Sequence, residues 1–143
     1  MPKPPLPPRV EELVRQPNAA VVASTRPDGT PHTAATWYDW EDGRVLLNMD
    51  ATRRRLEFLR ADPRVSLTVL AEGNWYRHIT LEGEVEELVP DEGLRDIDRL
   101  CIRYVGQPYS DRESPRVSAW VRVTRWHGWN AAHPIERDED FSD

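Results

Sequence analysis

The sequence predicts a mainly β domain with inserted helices, closed into a small antiparallel barrel. Three observations carry this. Short apolar or β-branched runs recur along the chain. Tight turn signals such as Pro27-Asp28-Gly29 and Glu41-Asp42-Gly43 separate them. Two stretches of helical periodicity interrupt the strands without a second domain boundary or an internal repeat. Closure into a barrel removes exposed strand edges, and the order hairpin, strand, helix, strand favours a helix plugging one end. A sandwich is the alternative.

The elements follow in order. Residues 1–8 are proline-rich and read as an extended polyproline arm. Residues 10–15 form a short helix with Val10, Leu13 and Val14 on one face. Residues 19–25 read as a buried strand, and Pro27-Asp28-Gly29 turns the chain into a second strand over 32–40. Residues 44–49 are a third strand. Residues 52–61 are a helix that buries Leu56, Phe58 and Leu59 and stops at Asp62-Pro63, because the residue before proline leaves the α region. Residues 65–70 are a strand. Residues 76–89 are a long strand with a bend at Gly83. Pro90-Asp91 opens a helix to about Tyr104, with Leu94, Ile97, Cys101 and Tyr104 at helical spacing. Residues 116–124 and 126–130 are the last strands, and residues 134–143 are acidic and expected to fray. The domain plan is an arm and short helix over 1–18, a barrel over 19–130 and an acidic tail over 131–143.

The 143 residues suffice for one domain with its own core. The formal charge of −6 speaks against nucleic acid as the partner, because that normally requires a basic face. Cys101 is the single cysteine, so no intrachain disulfide forms and a reducing, cytoplasmic setting is expected. No apolar run approaches the ~20 residues that span a bilayer, so no membrane role is expected. The start of the chain lacks the apolar stretch of a signal peptide.

One segment carries an electrostatic argument: Asn48-Met49-Asp50-Ala51-Thr52-Arg53-Arg54-Arg55. With Thr52 as N-cap, three arginines fall in the first helical turn, against the positive end of the helix dipole. An anion among them relieves that conflict. Free N–H groups at a helix start and forked guanidinium donors both suit phosphate. The plainer alternative is that the arginines pair with Asp50, Glu57 and Asp62 or face water. Not all three can face one ligand, since positions i and i+2 diverge on an ideal helix, although at a helix start the first of them can swing onto it.

The turn Ser24-Thr25-Arg26-Pro27-Asp28-Gly29-Thr30-Pro31-His32 leads into Ala34-Ala35-Thr36-Trp37-Tyr38. The arginine-rich helix start follows, closed by Leu59-Arg60-Ala61-Asp62-Pro63-Arg64. Then come Asn74-Trp75-Tyr76-Arg77 and Leu81-Glu82-Gly83-Glu84-Val85. This succession resembles the pyridoxamine 5'-phosphate oxidase-like split-barrel superfamily, and within it the small deazaflavin-dependent reductases. The resemblance is specific over residues 19–89. It implies a six-stranded antiparallel split β-barrel acting as a homodimer, with coenzyme F-420, or alternatively FMN, at the dimer interface. It implies that Arg53 and Arg55 hold the cofactor phosphate, with Asn48, Met49 and Thr52 around it, and Arg54 is then expected to face solvent. It implies that the strand His32, Thr33, Ala34, Ala35, Thr36 and Trp37 lies along the tricyclic ring. It implies that the loop with Trp75, Tyr76 and Arg77 touches the ring from beyond the barrel edge. Many relatives carry lysine where this chain has Arg55.

The implied activity is hydride transfer from reduced F-420 to a small unsaturated substrate. An FMN-dependent enzyme of the same fold, or a non-catalytic carrier of flavin, deazaflavin or haem, are the rivals. No residue is singled out as a general acid, and solvent can supply the proton. His32, His78, His127 and His133 are too scattered for a metal site, although His32 is placed to bond a ring carbonyl. Cys101 sits on an apolar helix face and reads as packing.

Overall fold

The computed structural model describes residues 1–141. Eight strands form a single antiparallel sheet among the described residues: β1 Ala20–Thr25, β2 Pro31–Thr36, β3 Asp39–Glu41, β4 Arg44–Asp50, β5 Arg64–Leu70, β6 Arg77–Pro90, β7 Arg116–Asn130 and β8 His133–Ile135. The helices are α1 Pro8–Arg15, α2 Arg54–Ala61 and α3 Arg95–Val105. The strand order is β2-β1-β5-β6-β7-β4-β3, with β8 added beside β7. The two ends of this path, β2 and β3, are consecutive in the chain yet not paired. Trp37 and Tyr38 join them. The barrel is therefore split at that seam.

The first hairpin shows how local chemistry sets the register. Gly29 has φ 88°, where a side chain is strained, and its N–H donates to Arg26 O at 2.8 Å. Asp28 accepts the Thr30 N–H at 3.0 Å and its hydroxyl at 2.6 Å. The resulting register pairs Ala20 with Thr36 and Thr25 with Pro31. The long strands β6 and β7 pair over most of their length, and their register shifts at Glu82/Gly83 and again between Val85 and Glu87. A Cβ at Gly83 would lie 2.1 Å from the Arg122 carbonyl oxygen, so only glycine permits this approach. The bend expected at Gly83 is there.

Inward-facing side chains of the strands form the core, with Val22, Leu47, Val69, Ile79, Ala119 and Trp126 almost fully buried. Val10, Leu13 and Val14 of α1 join it, as the sequence predicts. Cys101 is free and buried. No described helix is long and apolar enough to cross a membrane.

Five expectations are corrected. The strand over 32–40 breaks at Trp37-Tyr38 into β2 and β3, because Tyr38 is turned inward to donate its hydroxyl to Val14 O at 2.6 Å. The two C-terminal strands are one, β7. The first helix begins at Pro8 rather than at residue 10, inside the expected polyproline arm, whose Leu6 is buried in the core and whose Pro2 O accepts the Trp126 backbone N–H at 3.0 Å. The acidic tail is ordered through residue 141: β8 pairs with β7, and Phe141 is 4% exposed in the core. Ser142 and Asp143 lie outside the described residues. Finally, the six expected strands become eight, through the break after β2 and the addition of β8.

Candidate functional site

A cleft of about 710 Å³ opens at the seam of the barrel. Its lining comes from the connection between α1 and β1, the start of β1, β2, β4, the start of α2, α3, the loop after α3 and the start of β7. One part is aromatic and apolar. Trp37 stacks on Tyr104, with ring centroids 5.7 Å apart and planes 11° from parallel. The Tyr104 hydroxyl donates to Asn18 O at 2.7 Å, which fixes the ring. Ile97, Leu100 and Met49 add apolar lining.

The other part is cationic. Arg53, Arg54, Arg55 and Arg116 all line the same cleft. The start of α2 differs from the sequence expectation. Thr52 is not the N-cap: its N–H and hydroxyl both donate to Asp50 Oδ1, at 2.8 and 2.6 Å. Those bonds hold the Asp50 carboxyl below its ordinary range. Arg53 occupies the cap position in an extended conformation, and no side chain caps the helix. Arg54 and Arg55 therefore open the helix at its positive end.

Arg55 is half-buried, and its Nε is sealed from solvent with no hydrogen-bond partner among the described residues. Burial lowers its pKa, and the neighbouring charges of Arg53 and Arg116 lower it further. No carboxylate pairs with Arg55 among the described residues. A desolvated guanidinium beside two like charges is electrostatically frustrated. The Nδ1 of His32 is also buried without a partner, while its ring meets Phe58 edge-on at 5.5 Å. A phosphate-bearing planar cofactor fits these residues: an anion answers the Arg55 cluster, and an apolar floor with Trp37 and Tyr104 suits a ring.

The cleft gathers His32, Ala34, Ala35, Thr36, Trp37, Asn48, Met49, Arg53 and Arg55. It does not gather the other five predicted residues. Thr33 and Thr52 are exposed and outside the lining. Trp75 and Tyr76 stack on each other at 4.3 Å, are 62% and 58% exposed, and do not line the cleft. The guanidinium of Arg77 lies 5.6 Å over the Phe141 ring and its Nε donates to Asn130. Arg54, expected to face only solvent, is exposed but also lines the cleft.

Sequence reasoning missed Arg116, Tyr109 and Tyr104 as lining residues. Tyr104 carried a signal, since it lies on the periodic face of α3, but that signal is indistinguishable from core packing. Arg116 carried none, because only the pairing of β4 with β7 brings it beside the α2 start, with Asp50 opposite Arg116 in register. Among the described residues no group of three or more His, Cys, Asp or Glu side chains could hold a metal ion.

Comparison with known proteins agrees with this architecture. A family model described as pyridoxamine 5'-phosphate oxidase matches residues 6–130. An F-420 reductase of known structure is 31% identical with a TM-score of 0.73, over 81% of this chain and 94% of its own. A conserved hypothetical protein from Mycobacterium tuberculosis is 26% identical with a TM-score of 0.69, over 91% of this chain and 88% of its own. A haem-binding protein from Mycobacterium smegmatis shares the fold at 19% identity and a TM-score of 0.64, over 92% of this chain and 58% of its own. No functionally curated protein matches. The match across nearly the whole barrel, together with the split between β2 and β3, places the chain in the pyridoxamine 5'-phosphate oxidase-like split-barrel family.

Proposed function

We propose that this protein is an oxidoreductase that binds the deazaflavin coenzyme F-420 in the seam cleft and uses its reduced form to reduce a small unsaturated molecule. The observation that carries the reading is the desolvated Arg55 guanidinium, set beside Arg53 and Arg116 without a counter-charge among the described residues. The 31% identity to an F-420 reductase supports this cofactor over FMN.

In this reading Arg53 and Arg55 hold the cofactor phosphate by charge-assisted hydrogen bonds. The backbone of β2 from His32 to Thr36 flanks the ring, and the buried His32 Nδ1 is free to bond a ring polar atom. Trp37, Tyr104, Ile97 and Leu100 keep water from that region. When bound, the reduced cofactor supplies the hydride, and the chain supplies binding and orientation. The exposed Trp75-Tyr76 stack, together with Arg77, completes the ring site of a second copy in a homodimer.

Side-by-side titration of the purified protein with F-420 and FMN tests the cofactor. Low-micromolar or tighter binding of F-420, about −8 kcal/mol, with weak FMN binding supports the proposal. FMN retained through purification favours a flavin enzyme of the same fold. Binding of F-420 without its consumption by any of a panel of unsaturated acceptors favours a carrier. Analytical ultracentrifugation, with W75A compared with wild type in cofactor titration, tests the dimer.

A further inference from the structure

We propose that Arg116 is a third anion-binding arm of the cleft, and that Asn48 is the residue that aims it rather than a ligand of the phosphate. This rests on the reading of the cleft as a phosphate site.

Asn48 is 7% exposed and its side chain is fully engaged. Its Nδ2 donates to Asp91 Oδ2 at 3.1 Å and to Ser118 Oγ at 3.0 Å, while its Oδ1 accepts Arg116 Nε at 2.7 Å. The amide orientation is forced from behind. Asp91 already receives the N–H groups of Asp96 and Ile97, at 2.9 Å each, so it accepts from Asn48 and the NH₂ must face it. The Ser118 hydroxyl donates to Asp96 Oδ2 at 2.7 Å, so its oxygen accepts from Asn48 as well. The Asn48 oxygen is left pointing at Arg116. The cross-strand pairing of Asn48 with Ser118 makes this arrangement rigid.

Arg116 is therefore held at Nε, and its guanidinium sits 4.9 Å over the Tyr109 ring. Its two Nη groups have no partner among the described residues, and the residue lines the cleft. A planar fork fixed at one nitrogen and one face, with its outer edge free, suits an oxyanion in bidentate geometry. Arg55 and Arg116 line the same cleft, so the two cations share one space. The ligand chemistry is a phosphate ester, as in F-420 or FMN, and inorganic phosphate presents the same oxygens.

The test uses the full chain with R116Q, R116K, N48A and the double variant. Cofactor affinity is read by fluorescence titration across a range of salt, with thermal melting in parallel. For whichever of F-420 and FMN the wild type binds, R116Q is expected to weaken affinity about 10- to 100-fold and to flatten its salt dependence, with melting unchanged. R116K is expected to recover part of the loss. N48A is expected to match R116Q, and the double variant to bind no worse than R116Q alone. The phosphate-free counterpart of that cofactor, riboflavin for FMN or the 8-hydroxy-5-deazaflavin riboflavin analogue for F-420, is expected to lose nothing in R116Q. Unchanged affinity for the phosphate-bearing cofactor in R116Q, or an equal loss for its phosphate-free counterpart, overturns the proposal. Additive losses in the double variant overturn the aiming role of Asn48. A wild type that binds neither cofactor overturns the cofactor reading alone. The anion arm is then judged by whether inorganic phosphate raises the melting temperature of wild type and fails to do so in R116Q.

Discussion

The Asp91 carboxylate accepts the Asn48 side-chain amide at 3.1 Å, and so ties strand β4 to the first turn of α3. The same carboxylate takes the backbone N–H groups of Asp96 and Ile97 and is 8% exposed. It does the work of an N-cap from a position upstream of the helix, because Leu94, at the cap position, is in a left-handed conformation and has no side chain able to accept. Asp91→Ala removes the cap and leaves buried donors unpaired. The expected loss is roughly 2–4 kcal/mol in urea unfolding. Asp91→Asn should lose less, since one acceptor oxygen remains.

Arg55→Ala separates binding from folding. The side chain is desolvated beside like charges, so its removal relieves the apo protein while depriving a bound anion of a donor. The expected outcome is an unchanged or raised melting temperature together with at least tenfold weaker cofactor binding, about 1.4 kcal/mol or more. Collapse of the fold with binding retained would show that the arginine is structural.

Two glycines should answer differently to the same substitution. At Gly83 an added Cβ meets the Arg122 carbonyl oxygen at 2.1 Å and Val123 Cα at 3.0 Å, both backbone, so β6 must move away from β7. At Gly29 the space is open and only the positive φ opposes the change. Gly83→Ala should cost about 3 kcal/mol or more, and Gly29→Ala about 1 kcal/mol, in paired denaturation curves.

The loop that carries Tyr109 should loosen in acid. The hydroxyl and backbone of Ser114 and the backbone of Glu113 hold the Asp111 carboxyl down to about 2. A depressed carboxylate stabilises the fold fully above its unfolded value near 4, and the contribution fades as pH falls through about 2. Amide exchange at Glu113 and Ser114 should therefore accelerate between those limits. Asp111→Asn should show the faster exchange already at neutral pH, with no further change on acidification.

Much of the site was legible because it is local. The conflict between three successive arginines and the helix dipole needs only a helix start to be recognised. The hairpin through Asp28-Gly29 fixes β2 by turn chemistry alone. What stayed hidden was long-range. The family resemblance makes Asn48 a phosphate neighbour, yet its amide is consumed by Asp91 and Ser118, which lie far along the chain. The same holds for the tail: its acidic composition suggests fraying, but Phe141 enters the core and Arg9 donates its backbone N–H to Asp138 at 2.9 Å.

The sequence by itself determined the strand-and-turn pattern, the helix positions, the family and the arginine cluster, because period, turn residues and local charge act over a few neighbouring positions. Only the tertiary structure decided that the barrel stays open between β2 and β3, and that Arg116 joins Arg53 and Arg55. It alone showed that Trp75 and Tyr76 lie outside the lining of their own chain's cleft. Those relationships depend on which strands pair and in what register, and pairing is fixed by burial summed over the whole sheet rather than by any single segment.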